Sequence, residues 1–261
     1  MKLTLLGGGR MGEALLGGLL AAGWADARDL AVVEKLPARR DELAQRFTGV
    51  TVLDQPVATD GAVIAVKPGD VAGAAAAVAS AGVGQVLSIA AGVTIAALEA
   101  ALGSGVPVVR ARPTTPALVG AGAAAVAPGS SAGEEHLAWA ESILGAVGTV
   151  TRVSEGLLDA VTGLSGSGPA YVFLVAEALI EAGVLVGLPR EVSAALATQT
   201  LLGSARLLAE SGELPEVLRA QVTSPGGTTA AGLRVLEAAG VRAAFLEAVS
   251  AATQRSRELG S

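Results

Sequence analysis

Leu3-Thr4-Leu5-Leu6-Gly7-Gly8-Gly9-Arg10-Met11-Gly12 is the stretch whose reading decides the fold. A short β-like run leads straight into the spacing G-x-G-x-x-G, carried by Gly7, Gly9 and Gly12. A helical pattern over Met11–Ala22 follows at once. With 35 glycines in 261 residues, that spacing arises by chance roughly 0.6 times per chain, so spacing alone decides little. Its place between a strand and a helix gives each glycine a task. The first allows a tight turn, the second lets backbone approach a pyrophosphate, and the third lets helix and strand pack closely. The helix start also offers unpaired N–H groups to phosphate oxygens. Gly7, Gly9, Arg10, Met11 and Gly12 are therefore candidate cofactor-binding residues.

The pattern repeats downstream. Leu30–Val33, Ala62–Val66, Val86–Ala90 and Val106–Arg110 read as strands, and Pro37–Phe47, Asp70–Ala81 and Ile95–Leu102 as intervening helices. Strands apolar on both faces that alternate with helices predict a parallel sheet covered on both sides. Two more β-like runs, Ala121–Ala127 and Thr149–Val153, flank a helix at Gly133–Leu144. At the end of the second strand Glu34 stands about 20 residues beyond Gly12, where an acidic side chain receives a ribose 2′-hydroxyl and repels a 2′-phosphate. Lys35, Arg39 and Arg40 follow immediately and point the other way, so NADH and NADPH both stay open.

After about Ser154 the strands stop. Helical patterns run over Ser167–Gly187, Pro189–Ser211, Leu214–Val222, Thr228–Ala239 and Val241–Leu259. The expected organisation is a Rossmann-type α/β dinucleotide-binding domain over 1–153, then an all-α dimerisation and substrate domain over 154–261. The helix from Ser167 is apolar nearly all round, as for a helix buried in a core or a subunit interface.

Composition narrows the chemistry. The chain has no cysteine and one histidine, His136, so disulfides, zinc–thiolate sites and thiol nucleophiles are excluded and no metal is expected. A net charge of −6 argues against a nucleic-acid binder. The two long uncharged or apolar runs, 71–98 and 170–188, are Ala- and Gly-rich or carry Glu177 and Glu181, and both are expected as buried elements of a soluble, cytoplasmic protein rather than membrane spans. The visible start lacks a secretory pattern.

Missing acids decide further. Lysine occurs only at 2, 35 and 67, and the single tyrosine, Tyr171, has Val175 rather than lysine four residues on. An alcohol dehydrogenase normally places His, Lys or Tyr at the hydroxyl. The polar clusters here are instead hydroxyls and glycines at two helix starts: Leu164-Ser165-Gly166-Ser167-Gly168-Pro169 and Thr223-Ser224-Pro225-Gly226-Gly227-Thr228-Thr229. Ser167 is placed to cap its helix, and both starts suit a small anion. Such a site suits a C=N bond, which needs no strong acid from the protein.

Leu157–Tyr171 and Gln221–Thr229, with Gly232-Leu233 and Leu236-Glu237, resemble the pyrroline-5-carboxylate reductase family, as do Ala65-Val66-Lys67-Pro68 and Ala90-Ala91-Gly92-Val93-Thr94. The resemblance runs from the first strand to Arg257-Glu258-Leu259. It implies NAD(P)H-dependent reduction of 1-pyrroline-5-carboxylate to L-proline, the last step of proline synthesis. It also implies an intertwined dimer, assembled in many members into a decamer. The substrate carboxylate would lie against Ser224, Gly226, Gly227 and Thr228, with Ser167 and Gly168 nearby and Thr229 donating to the ring nitrogen as the catalytic group. Val66, Lys67 and Pro68 would flank the cofactor, with Glu34 and Lys35 at its ribose and Ala90, Ala91 and Gly92 toward the nicotinamide. One stretch departs from the family: Arg112 and Thr114 stand where Met and Asn are usual. Arg112 is read as a surface replacement in preference to an added phosphate contact, and Thr114 as keeping one hydrogen bond of the amide's two. Two competing readings stand beside the reductase. A β-hydroxyacid-type dehydrogenase needs a lysine in the helical domain, which has none; a non-catalytic dinucleotide sensor would bind cofactor without turnover.

Overall fold

The computed structural model describes residues 1–103 and 105–260. They form two compact units, Met1–Gly166 with Ala251–Ser261, and Ser167–Ser250.

The first unit is built on one eight-stranded sheet in the order β3-β2-β1-β4-β5-β6-β7-β8. The strands are β1 (Leu3–Leu6), β2 (Leu30–Val33), β3 (Thr51–Leu53), β4 (Gly61–Ile64), β5 (Val86–Ser88), β6 (Val108–Arg112), β7 (Gly122–Pro128) and β8 (Gly148–Arg152). The helices are α1 (Arg10–Ala21), α2 (Pro37–Arg46), α3 (Val71–Ser80), α4 (Ile95–Leu102) and α5 (Glu134–Gly145), followed by one turn, α6 (Leu158–Val161). β1, β2, β4 and β5 are buried along their whole length, as expected of strands covered on both faces. Strand β3 was not expected. It is an edge strand of three half-buried residues, too short to show an alternation.

The sheet is parallel except at β6–β7, which is antiparallel. Only a short turn separates Arg112 from Gly122, and a parallel crossover needs a dozen or more residues. The core divides between the two faces. One side gathers Leu15, Leu16, Leu19, Leu43, Ile143 and Leu144, the other Val71, Val78, Leu98 and Leu102. Few aromatics are needed because small residues bring helices close: a Cβ on Gly18 would strike Val147, and one on Gly61 would strike Trp139.

The strands end near the expected 153/154 boundary, but the compact unit runs on to Gly166. Leu158 of α6 is fully buried against Ile95, Ala125 and Ala127, which ties this segment to the sheet. His136 is not a free surface side chain: its Nδ1 accepts the Gly133 N–H at 2.9 Å and caps α5.

The second unit holds α7 (Gly168–Leu185), α8 (Arg190–Ser211), α9 (Pro215–Gln221), α10 (Thr228–Ala238) and the first half of α11 (Val241–Leu259). α7 and α8 form a hairpin. The Ser193 hydroxyl donates to the Ile180 carbonyl at 2.7 Å, and a Cβ on Gly183 would collide with Ser193 Oγ. Among the described residues of this unit, only Ser193 and Ala197 are buried. Phe173 (63% exposed), Leu185 (86%), Leu196 (56%) and Leu246 (74%) lie open. The 170–188 run is thus not buried within the chain, which leaves the subunit interface of the two expected places. The stretch Glu155–Leu185 is also long and apolar enough to cross a membrane by length and composition. A unit with so little interior has not satisfied its own apolar surface.

Candidate cofactor and anion sites

The glycine loop is shaped by contact rather than by flexibility. Gly7 has φ +107°, and a Cβ there would lie 2.6 Å from the Ala65 carbonyl oxygen at the end of β4. A Cβ on Gly12 would strike the Gly7 carbonyl oxygen. Gly9 differs: nothing lies within 4 Å of its would-be Cβ. Gly9 precedes the first turn of α1, whose Arg10, Met11 and Gly12 N–H groups have no helical carbonyl before them. Two glycines fold the loop, and the third leaves an open face toward unpaired donors. That is the shape a pyrophosphate requires.

The peptide of Gly8 is held at both ends. Its N–H donates to Glu34 Oε2 at 3.0 Å, and its carbonyl accepts Arg39 Nε at 2.9 Å. Glu34 Oε1 also accepts the Leu36 N–H, and Arg39 is further anchored on Glu13 and Glu42. Arg40 donates to the carbonyls of Glu34 and Lys35. Arg39 is therefore tied to the glycine loop and Arg40 to the backbone after β2, roles invisible in a run of surface charges. Lys35 pairs with Asp70 at 2.8 Å, and its ammonium holds the Asp70 carboxyl below the usual carboxylate range. Arg10 and Lys67 are exposed and form no ion pair among the described residues. A cleft of about 540 Å³ brings together Gly7, Gly9, Glu34, Lys35, Val66 and Lys67, with Pro68 next to it in sequence.

The sheet order places β1 and β4 side by side, so the strand order reverses at this point. Dinucleotides lie across such a crevice, with one half over β1–β3 and the other over β4–β6. Ala90, Ala91 and Gly92 follow β5 on the second half. Gly92 has φ +74°, and a Cβ there would lie 3.0 Å from the Leu259 carbonyl at the end of α11. The return of that helix to the first unit had no signal in the sequence. Arg112 corrects the surface reading: it is buried, as is Thr114, which keeps a single hydrogen bond as expected. Thr114 Oγ1 accepts the Ala123 N–H at 2.9 Å. Arg112 Nη1 donates to the Ala90 carbonyl at 2.7 Å.

In the second unit, the Ser224–Thr229 stretch forms a tight turn into α10. Gly226 has φ +69°, the Gly227 N–H donates to the Ser224 carbonyl, and a Cβ on Gly227 would strike Ser224 Oγ. Thr223 spends its hydroxyl on the Arg219 carbonyl at 2.6 Å. The hydroxyls of Ser224, Thr228 and Thr229 make no such bond among the described residues, and they flank the free N–H groups of α10. The other helix start departs from expectation. Residues Thr162–Gly166 form a π-helical turn between α6 and α7, with Thr162 and Ser165 donating to carbonyls four residues back. Ser167 has helical backbone angles and makes no side-chain cap. Ser167 thus occupies the N-cap position of α7 and Gly168 its first residue, directly after a π-helical turn of the kind common at functional sites.

Comparison with known proteins finds relatives for both parts of the chain. Residues 155–259 match the family profile described as pyrroline-5-carboxylate reductase dimerisation, and residues 2–92 match NADP oxidoreductase coenzyme F420-dependent. The chain is 46% identical to pyrroline-5-carboxylate reductase of Mycobacterium tuberculosis, covering 99% of this chain and 96% of that one. The solved pyrroline-5-carboxylate reductase of Coxiella burnetii superposes with a TM-score of 0.94 at 36% identity, covering 100% of this chain and 98% of the other. Plasmodium falciparum pyrroline carboxylate reductase with NADP bound gives 0.85 at 30% identity, with the same coverages.

Two predictions follow from the loop. Gly9→Ala should fold with an unchanged thermal midpoint yet weaken NAD(P)H binding at least about tenfold, near 1.4 kcal/mol. Gly12→Ala should also lose stability, by about 1–3 kcal/mol. Thermal denaturation with cofactor titration separates the two. Glu34→Ser should shift the NADPH-to-NADH ratio of catalytic efficiencies toward NADPH, because a carboxylate at the β2 end repels a 2′-phosphate. An unchanged ratio removes Glu34 as selector.

Proposed function

The chain belongs to the pyrroline-5-carboxylate reductase family, and we propose from that premise a residue-level account of how it reduces the C=N bond of 1-pyrroline-5-carboxylate to L-proline. The observation that carries the account is the pairing of a dinucleotide loop with a hydroxyl-rich helix start, in a chain without the usual proton donors of alcohol dehydrogenases. NAD(P)H supplies the hydride when bound.

The chain's own residues bind, orient and protonate. Gly7, Gly9, Arg10, Met11 and Gly12 receive the pyrophosphate, Glu34 and Lys35 the adenosine ribose, and Val66, Lys67 and Pro68 the middle of the cofactor. Ala90, Ala91 and Gly92 back the nicotinamide. The substrate carboxylate is held by the N–H groups that open α10 and by Ser224, Gly226, Gly227 and Thr228, where the helix dipole favours an anion. Ser167 and Gly168 contribute to the same substrate site. Thr229 donates a hydrogen bond to the ring nitrogen, on which a proton must end as carbon accepts the hydride. A hydroxyl suffices, because an imine is basic enough to take its proton from water. A ketone would need the stronger acid this chain lacks.

The second unit explains the assembly. Its exposed Phe173, Leu185, Leu196 and Leu246 form the apolar surface that a second copy covers in an intertwined dimer. Five such dimers would give the decamer. The net charge of −6 disfavours nucleic acid as a partner, and a water-facing dimer suits the cytoplasm.

Purified protein should convert 1-pyrroline-5-carboxylate to proline with at least one of NADH and NADPH. Proline from neither removes the proposal. Thr229→Ala should lower kcat by roughly tenfold, the worth of one hydrogen bond, with cofactor affinity little changed. Loss of cofactor binding instead would displace Thr229 from its role. Leu196→Glu should shift sedimentation from dimer to smaller, less stable species. An unchanged dimer would place the interface elsewhere.

A further inference from the structure

Arg112 is an arginine in the interior of a sheet with no acid beside it. It ends β6, which runs parallel to β5, so its side chain belongs to the carboxyl edge of the sheet on the half that includes β4 to β6. It is 6% exposed. Its Nη1 reaches the Ala90 carbonyl at 2.7 Å, and its buried Nε has no hydrogen-bond partner. No carboxylate lies within ion-pair distance of it among the described residues. Asp159, which acts on Arg112 from beyond ion-pair distance, and Glu155, the partner of Arg110, each have other hydrogen-bond partners. Glu155 accepts from Arg110 Nη1 and from the Ile95 N–H, each at 2.7 Å, and Asp159 accepts the Ser256 hydroxyl at 2.6 Å.

A buried charge without a partner is costly, and a neutral side chain of similar size removes that cost. Desolvation, and then the like charge of Arg110, pull the Arg112 pKa down to about 10, with Asp159 opposing from a distance. The guanidinium still carries its charge at neutral pH. The Arg112 charge is thus held without an ion-pair partner among the described residues, and only partly opposed by Asp159, behind the loop that follows β5.

On the reductase reading above, the reduced nicotinamide is neutral and the oxidised ring is cationic. We propose that Arg112 is a specificity-determining residue for cofactor redox state: its buried charge disfavours the oxidised cofactor and leaves the reduced form favoured. Arg112 touches neither ring nor substrate in this role. It acts through the field at the Ala90–Gly92 loop. The consequence is directional, because the form that begins the reduction binds well and the form that ends it leaves easily.

The test is a pair of dissociation constants. NADPH and NADP⁺ are titrated separately into the full-length protein, by calorimetry or by quenching of intrinsic fluorescence, for wild type, Arg112→Gln and Arg112→Lys. Gln keeps a donor for the Ala90 carbonyl and drops the charge; Lys keeps the charge. The expected result is that Arg112→Gln tightens NADP⁺ by roughly tenfold, the scale of one charge acting across protein interior. NADPH affinity changes little, and Arg112→Lys keeps the wild-type ratio. Thermal midpoints recorded alongside should not fall for Gln; if that variant does not fold, Arg112→Met reads the same ratio. The inference is overturned if the NADP⁺-to-NADPH ratio is the same with and without the charge, or if both affinities fall together, which would make Arg112 only a prop for the loop. Wild-type protein that binds neither cofactor would overturn the reductase reading and this inference with it.

Discussion

The cofactor half of the protein depends on backbone approaching backbone without side chains between. At the reversal of strand order, the Gly7 carbonyl fills the place of a Gly12 Cβ, and the Ala65 carbonyl fills that of a Gly7 Cβ. This contact brings α1 down onto the end of β1 and aims its first unpaired N–H groups into the crevice. Side-chain clamps then make the geometry specific. Glu34 and Arg39 hold the Gly8 peptide from opposite ends, so the residue expected to read the ribose also sets the loop's shape.

The helical half obeys a different constraint. It offers a tight turn into α10 but almost no interior of its own. The hydrophobic effect that would stabilise it operates only once the apolar faces of α7, α8 and α11 are covered. Covering those faces by self-association would make the stability of this unit depend on protomer concentration.

Much of this was legible in the sequence because it rests on local signals. The strand–glycine–helix order fixed the place of Gly7, Gly9 and Gly12, and β1, β2, α4 and α11 fall where apolar runs and their flanking residues put them. The turn at Gly226-Gly227 was likewise visible from its residue types. The illegible parts are long-range. Nothing local indicates that Leu158 plugs into the sheet, that the end of α11 returns to pack on Gly92, or that Ser167 has helical backbone angles and makes no side-chain cap. Arg112 read as a surface replacement because arginine is usually exposed. The clue was its position in Val108-Val109-Arg110-Ala111-Arg112, a strand buried throughout.

The central claim is that this architecture brings a nicotinamide hydride to an imine carbon. It is tested most directly by turnover with NAD(P)H deuterated at the donating ring carbon, followed by mass spectrometry of the product. The account predicts proline carrying one deuterium on the carbon that was double-bonded to nitrogen. Proline without deuterium, or cofactor oxidised with no labelled proline formed, would contradict it.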